Sequence, residues 1–158
     1  AGGSAGGCLA ATLALRLRDN GGPAVAFQLL MYPLLDDRTE TASAQLDTVV
    51  WTKGENGIAL DAYVGSDRDN PPHGAFPARA TNLADLPKTA IIVGELDLFR
   101  DDALAFATRL WSAGVSTELL VLPGMPHSPE GAAPGSAVGQ RLHRAMHEAY
   151  SDAVRTMP

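Results

Sequence analysis

A chain of 158 residues with 46% hydrophobic and 19% charged residues is long enough to bury a core and has the composition of one globular domain. The net charge of -6 argues against nucleic acid or an anionic membrane as a partner, and no apolar run approaches the ~20 residues that span a bilayer. Cys8 is the single cysteine, which excludes an internal disulfide and is typical of a reducing compartment. We therefore predict a cytoplasmic protein in which Cys8 is a buried packing thiol.

The first element that the sequence predicts is a helix over residues 5–18. Leu9, Leu13 and Leu17 recur at i, i+4 spacing, which places them on one side of that helix. The polar, glycine-rich residues 19–22 then stop the pattern.

Three continuous apolar runs predict strands that are buried on both faces. They cover residues 24–30, extending through 31–33, residues 89–93 and residues 117–122. Between the last two runs, residues 102–113 predict a helix with Leu104, Ala107, Leu110 and Trp111 on one face and Gly114 as its cap. A last amphipathic helix carries Val138, Leu142, Ala145, Met146, Ala149 and Val154.

Strands that alternate with helices predict an α/β fold, in which a parallel sheet carries helices on its faces. Three strands are few for such a sheet, so we expect its other strands upstream of Ala1. An incomplete sheet edge, or the last helix, could then mediate homo-oligomer formation.

Residues 37–86 form a long, polar connection with prolines at positions 71, 72 and 77. Apolar anchors interrupt it at residues 49–51, Ile58, Leu60 and Tyr63. Because a connection of this length inside a domain is usually functional, we expect it to form a lid or a wall of the substrate site.

Residues 2–6 read Gly2-Gly3-Ser4-Ala5-Gly6, the G-x-S-x-G pattern of a nucleophile elbow. Such a serine sits on a strained turn from strand to helix, so we expect a side chain at Gly2 or Gly6 to collide with the neighbouring backbone. No strand is apparent in front of the motif, which also indicates that upstream sheet is absent. A disordered leader or a phosphate-binding loop is the alternative for this segment.

An activated serine needs a base, and the base needs an orienting carboxylate. Asp97 ends the second predicted strand and His127 follows the third, so both should reach the sheet edge where Ser4 lies. As alternatives, Asp97 could cap the next helix, although Asp101 and Asp102 suit that role better, and His127 could be an exposed loop residue.

Other candidates have less support from the pattern. Asp36 and Asp37 could replace Asp97 as the acid, but they more readily shape the turn after the first strand. His143 and His147 are spaced to bind a metal from one helix face, yet they have no third ligand, and His73 belongs to no motif. We predict no metal and no cofactor. Met125 and Trp51 could line an acyl pocket or simply pack.

Together these motifs resemble the hormone-sensitive-lipase-like branch of the α/β-hydrolase esterases over the whole chain. The family elbow Gly-Asp-Ser-Ala-Gly-Gly corresponds to residues 2–7, and its Tyr-Pro to Tyr32-Pro33. Its Asp-Pro-Leu-Arg-Asp corresponds to residues 97–101, with Leu98 in place of proline. Its Pro-Gly-x-x-His-Gly-Phe corresponds to residues 123–129, but Ser128-Pro129 replaces Gly-Phe.

The resemblance implies a partial α/β-hydrolase fold with Ser4 as nucleophile, Asp97 as acid and His127 as base. The family's His-Gly-Gly-Gly segment, which supplies oxyanion-hole amides upstream of the elbow, is not in this chain, so the amide of Ala5 is the donor that remains. We therefore expect residues 1–158 to be the C-terminal part of one hydrolase domain, incomplete and inactive alone.

The function that the resemblance implies is a serine carboxylesterase acting on short-chain acyl esters through an acyl-enzyme. The alternative is a non-catalytic receptor for a small molecule on the same scaffold. Such receptors characteristically lose the catalytic histidine, so the presence of His127 favours the enzyme.

Overall fold

A computed structural model of the chain, which describes residues 1–65 and 68–155, contains one sheet of four parallel strands. These are β1 (Gly2–Gly3), β2 (Phe27–Met31), β3 (Lys88–Gly94) and β4 (Thr117–Leu122), and their order in the sheet is their order in the chain. The helices are α1 (Ala5–Asp19), α2 (Lys53–Val64), α3 (Arg100–Ser112), α4 (Pro129–Ala132) and α5 (Ala137–Arg155). Among these described residues, no helix combines the length and the apolar character needed to cross a membrane.

The strand in front of the elbow is present, so the prediction that no strand precedes Ser4 was wrong. Gly2 pairs with Leu30 and Gly3 with Met31 in parallel register. Two glycines carry no apolar signal, which is why the pattern missed them. The other strands agree with the prediction, and β4 has the predicted bounds.

The core lies between the sheet and the helices that pack on it. Helix α1 packs on β1 and β2, α3 on β3 and β4, and α5 across β2, β3 and β4. Because parallel crossovers are right-handed, α1 and α3 cover the same face of the sheet. The carboxyl ends of the four strands therefore open at one edge, where the loops after β1, β3 and β4 meet.

Helix α1 begins where predicted and ends one residue later, but it buries a different face. Leu9 and Leu13 are 56% and 55% exposed, whereas Ala11, Ala14 and Leu15 are buried. Small residues face the sheet because the helix approaches it closely. A Cβ added to Gly7, for example, would lie 2.7 Å from the Cβ of Pro33.

The other two predicted helix faces were partly correct. In α3, Ala107 and Leu110 are buried, but Leu104 and Trp111 are exposed. In α5, Leu142, Ala145 and Ala149 are buried as predicted, while Val154 is exposed and Ala153 faces the core instead.

The 37–86 segment contains a helix, α2, that was not predicted. A signal for it exists in the sequence: Thr52 and Glu55 form a reciprocal capping box at its start. Of the expected anchors, Leu60 is buried, whereas Val49 and Ile58 are largely exposed.

A second apolar cluster attaches α2 and the 37–86 segment to the rest of the fold. It contains Cys8, Leu34, Leu60, Ala75, Phe76, Leu98 and Phe99, with Trp51 packed against it. Cys8 is a buried packing thiol, as expected: it donates to the Ala75 carbonyl, and burial raises its pKa to about 11.

Candidate active site

Ser4 occupies the sharp turn between β1 and α1. Its backbone has φ 52° and ψ -123°, a sparsely populated conformation for a non-glycine residue. The Ser4 carbonyl accepts from the amides of Gly7, Cys8 and Leu34, which fixes this turn against the following helix and the segment after β2. The Ser4 hydroxyl caps no amide of α1, so it is free to interact elsewhere.

The two motif glycines have different reasons to be present. A Cβ at Gly2 would lie 2.1 Å from the Gly6 carbonyl oxygen, so the collision expected there is confirmed. At Gly6 the expected collision is not found, because an added Cβ would meet no described atom within 4 Å apart from its chain neighbours and the backbone of its own helix.

The three side chains picked from the sequence form one chain of hydrogen bonds. Ser4 Oγ lies 2.9 Å from His127 Nε2, and His127 Nδ1 lies 2.9 Å from Asp97 Oδ2. An ionised carboxylate can only accept, so Nδ1 carries the proton toward Asp97 and Nε2 is left to accept from the hydroxyl. This is the tautomer that can take a proton from Ser4.

Asp97 is fully buried and uses both of its oxygens. Its second oxygen, Oδ1, accepts from the amide of Phe99, the residue immediately before α3. This bond fixes the turn before α3, whereas Asp101 and Asp102, which were expected to suit helix capping better, lie in the first turn of that helix. The Asp101 carboxylate accepts instead from the Ser43 amide.

Asp36 and Asp37, the two alternatives to Asp97 as the acid, each form an ion pair with an arginine. Arg79 donates two hydrogen bonds of 2.8 Å to Asp37, and Arg38 pairs with Asp36. Burial opposes ionisation of Asp36, but its bonds to Arg38 outweigh that and lower its pKa. Both aspartates therefore stabilise the turn after β2.

The remaining histidines lie on the surface. His143 and His147 are exposed on α5, and His73 is exposed in the proline-rich connection. Within the described ranges, no three side chains of metal-binding type gather at one point.

Three aromatic rings enclose the His127 imidazole, which is 4% exposed. Tyr32 and Phe99 meet it edge to face, with ring centroids at 4.9 and 5.2 Å, and Trp51 lies tilted at 6.2 Å. Such packing restricts rotation of the imidazole and excludes water from its faces, which leaves Nε2 directed at Ser4.

A cavity of about 430 Å³ opens beside Ser4 and His127. Val50 and Trp51 from the 37–86 segment line one part of it, and residues 128, 131 and 132 line another. A larger cavity of about 750 Å³ lies between α1 and residues 69–82, and it is not lined by Ser4, Asp97 or His127.

Two residues beside the base were given no role by sequence reasoning, although Tyr32 belongs to the Tyr32-Pro33 motif noted above. Tyr32 is 6% exposed and its hydroxyl donates to the carboxylate of Glu130 in α4. Burial first, and then the hydrogen bond and the charge of Glu130, raise the pKa of Tyr32. The two residues are 98 positions apart, so no local pattern could have paired them.

Comparisons with known proteins identify relatives of this fold. A family model described as α/β hydrolase fold matches residues 1–129. Esterase LipI of Mycobacterium tuberculosis is 41% identical over 122 residues, which cover 75% of this chain and 38% of that protein. A gibberellin receptor of Arabidopsis thaliana is 31% identical over 128 residues, 77% of this chain and 37% of the receptor.

Among solved structures, a bacterial heroin esterase superimposes with a TM-score of 0.89 at 38% sequence identity. The match covers 98% of this chain and 51% of that one. The chain thus spans about two fifths of the length of the curated relatives described above.

Proposed function

Because this chain belongs to the α/β-hydrolase fold family, in its hormone-sensitive-lipase-like branch, we propose that it hydrolyses carboxylic esters with Ser4 as the nucleophile. The observation that carries the proposal is the pair of 2.9 Å contacts from Ser4 to His127 and from His127 to Asp97. Nucleophile, base and orienting acid in hydrogen-bond reach are what acyl transfer by serine requires.

The reaction proceeds in two halves. Ser4 Oγ attacks the ester carbonyl carbon while its proton moves to His127 Nε2, and Asp97 stabilises the imidazolium that forms. The tetrahedral intermediate collapses, the bond from carbon to the alcohol oxygen breaks, and His127 returns the proton to the departing alcohol. Water then attacks the acyl-enzyme by the same route and releases the carboxylic acid and Ser4.

The developing oxyanion requires donors that are already in place. Ala5 is the first residue of α1, and amides in the first turn of a helix have no intrahelical acceptor. The Ala5 amide, at the positive end of the helix dipole and next to Ser4, therefore serves as one oxyanion donor.

The cavity beside Ser4 supports short, uncharged acyl groups as substrates. None of the described residues that line it is Asp, Glu, Lys or Arg, so a charged group buried there would lack a counter-ion. Trp51 and Val50 make the 37–86 segment a wall of this site and limit the length of the acyl chain.

The proposal is tested with the complete gene product and its Ser4→Ala variant. We expect the wild type to hydrolyse p-nitrophenyl acetate and butyrate faster than the laurate ester and to be labelled by a fluorophosphonate probe. The variant should lose both activities and keep its melting temperature, since alanine preserves the backbone. Unchanged hydrolysis by Ser4→Ala would overturn the mechanism.

The same experiment distinguishes the esterase from the receptor alternative. A binding protein on this scaffold would be neither labelled nor active in its wild-type form. A wild type that resists the probe and hydrolyses no ester would therefore refute the esterase proposal.

A further inference from the structure

Glu130 stands out because its carboxylate has few hydrogen-bond donors around it. One of its oxygens accepts from the Tyr32 hydroxyl, and the other, Oε2, is buried without a hydrogen-bond partner among the described residues. A buried carboxylate oxygen that lacks a donor costs stability, so the single contact to Tyr32 has to hold this side chain in place.

Tyr32 connects that carboxylate to the two reacting side chains. Its ring meets the His127 imidazole edge to face at 4.9 Å. On the other side, a Cβ added to Gly3 would lie 2.9 Å from the Tyr32 hydroxyl oxygen, so the tyrosine touches the backbone immediately before Ser4. Tyr32 thus packs against both the base and the backbone next to the nucleophile.

Glu130 is attached to the base by a short piece of chain. It belongs to α4, a four-residue helix that begins after Ser128, and Ser128 follows His127 with a left-handed φ of 45°. A single helical turn is not stable by itself, so its position depends on tertiary contacts. Residues 131 and 132 of the same turn line the cavity beside Ser4.

Backbone strain supports a constrained arrangement here. Five non-glycine residues in the described ranges have positive φ, and three of them, Ser4, Tyr32 and Ser128, meet at this site. Residues in such conformations persist where the surroundings over-determine them. The Tyr32–Glu130 contact supplies a constraint that links two of these strained segments.

We propose that Glu130 is a positioning residue, whose carboxylate holds Tyr32 against His127 and thereby keeps the loop after β4 in the geometry that serves Ser4. The inference rests on the proposed esterase function and deepens it. It concerns Glu130, which directly follows Ser128-Pro129, the two residues that depart from the family pattern.

Four variants of the complete gene product test this role: Glu130→Gln, Glu130→Ala, Tyr32→Phe and the double variant Tyr32→Phe/Glu130→Ala. We expect Glu130→Ala and Tyr32→Phe each to lower kcat by about tenfold with KM little changed, because a base held less firmly accepts the Ser4 proton less often. Glu130→Gln should retain most of the activity, since an amide oxygen still accepts from the hydroxyl. The double variant should be no worse than either single one, because both remove one interaction.

Matched controls are Glu148→Gln and Tyr150→Phe, which make the same chemical changes at exposed positions of α5. Both should behave as wild type. If Glu130→Ala fails to fold in a thermal melt, Tyr32→Phe and Glu130→Gln still decide the question. Wild-type kcat in Tyr32→Phe, or additive losses in the double variant, would overturn the proposal.

A second measurement separates this inference from the esterase proposal. The proton between His127 Nδ1 and Asp97 should give a low-field proton NMR line, and a loosened imidazole should broaden it. We expect broadening in Tyr32→Phe and Glu130→Ala but not in Tyr150→Phe. If the wild type hydrolyses no ester, the esterase proposal fails, and the NMR line alone then tests whether Glu130 positions His127. An unchanged line in folded Tyr32→Phe refutes the positioning role.

Discussion

Gly94 ends β3 under the loop that carries His127, and Gly94→Ala tests how tightly that loop is fixed. A Cβ at this position would lie 2.1 Å from the carbonyl oxygen of Met125 and 2.8 Å from its carbonyl carbon. Contacts between a carbon and a carbonyl oxygen normally settle at about 3.3 Å, so the Met125 carbonyl has to retreat by about 1 Å. Met125 is fully buried, and its carbonyl also accepts from the Leu96 amide, so it cannot move without breaking other contacts.

This displacement has a predictable size in two measurements. Overpacking of this kind costs about 2 kcal/mol, which lowers the melting temperature by about 6 °C for a domain of roughly 150–250 residues and by less for a larger one. A 1 Å shift passed along the two residues to His127 lowers kcat by about 10²-fold. Circular dichroism melts and p-nitrophenyl acetate kinetics give the two values.

Gly54→Ala is the matched control for this prediction. It adds the same methyl group inside α2, where the nearest atom is Thr52 Oγ1 at 3.8 Å. Alanine should stabilise that helix by about 0.5–1 kcal/mol and leave kcat unchanged. A Gly94→Ala protein with wild-type melting and wild-type kcat would refute the reasoning, because the close approach of Met125 would then be irrelevant.

Three further substitutions or probes address single groups. Asp97→Asn should lower kcat by about 10⁴ at a nearly unchanged melting temperature, because asparagine keeps the backbone contact but favours the wrong His127 tautomer. Burial, and then two neighbouring aspartates, raise the pKa of Asp102 to about 7. Between about pH 4 and 7 the native state therefore keeps a proton that the unfolded chain has released. The free energy of unfolding should fall as the pH rises through that window, and Asp102→Asn should make the fall shallower in urea melts. The thiol of Cys8, being buried with a pKa of about 11, should react with Ellman's reagent only after unfolding. If the stability of Asp102→Asn changed with pH as steeply as that of the wild type, the Asp102 prediction would be contradicted. A Cys8 thiol that reacts rapidly in the native protein would contradict the Cys8 prediction.

The candidate site was predictable because its parts are local and the topology brings them together. A glycine-flanked serine, an aspartate after β3 and a histidine after β4 are each read from a few adjacent residues. Parallel strands then deliver their carboxyl ends to one edge, so three distant residues become neighbours without any long-range information.

What could not be predicted depends on distances between elements. The face of α1 that is buried is set by how closely the helix approaches the sheet, and that favours alanine over the exposed Leu9 and Leu13. The contact of Tyr32 with Glu130 depends on the path of the chain after His127. Helix α2 is different, since the Thr52–Glu55 capping box was a readable signal within a segment whose polarity suggested only a loop.

The backbone conformation of Ser4 sets a limit on how far this protein can be made more robust. A residue with a side chain pays strain at φ 52°, whether that residue is serine or alanine, and glycine is the natural occupant of such a turn. Relaxing residue 4 therefore means giving up the hydroxyl. Variants selected for heat resistance alone would drift toward Ser4→Gly, and a screen for durability has to monitor turnover at the same time.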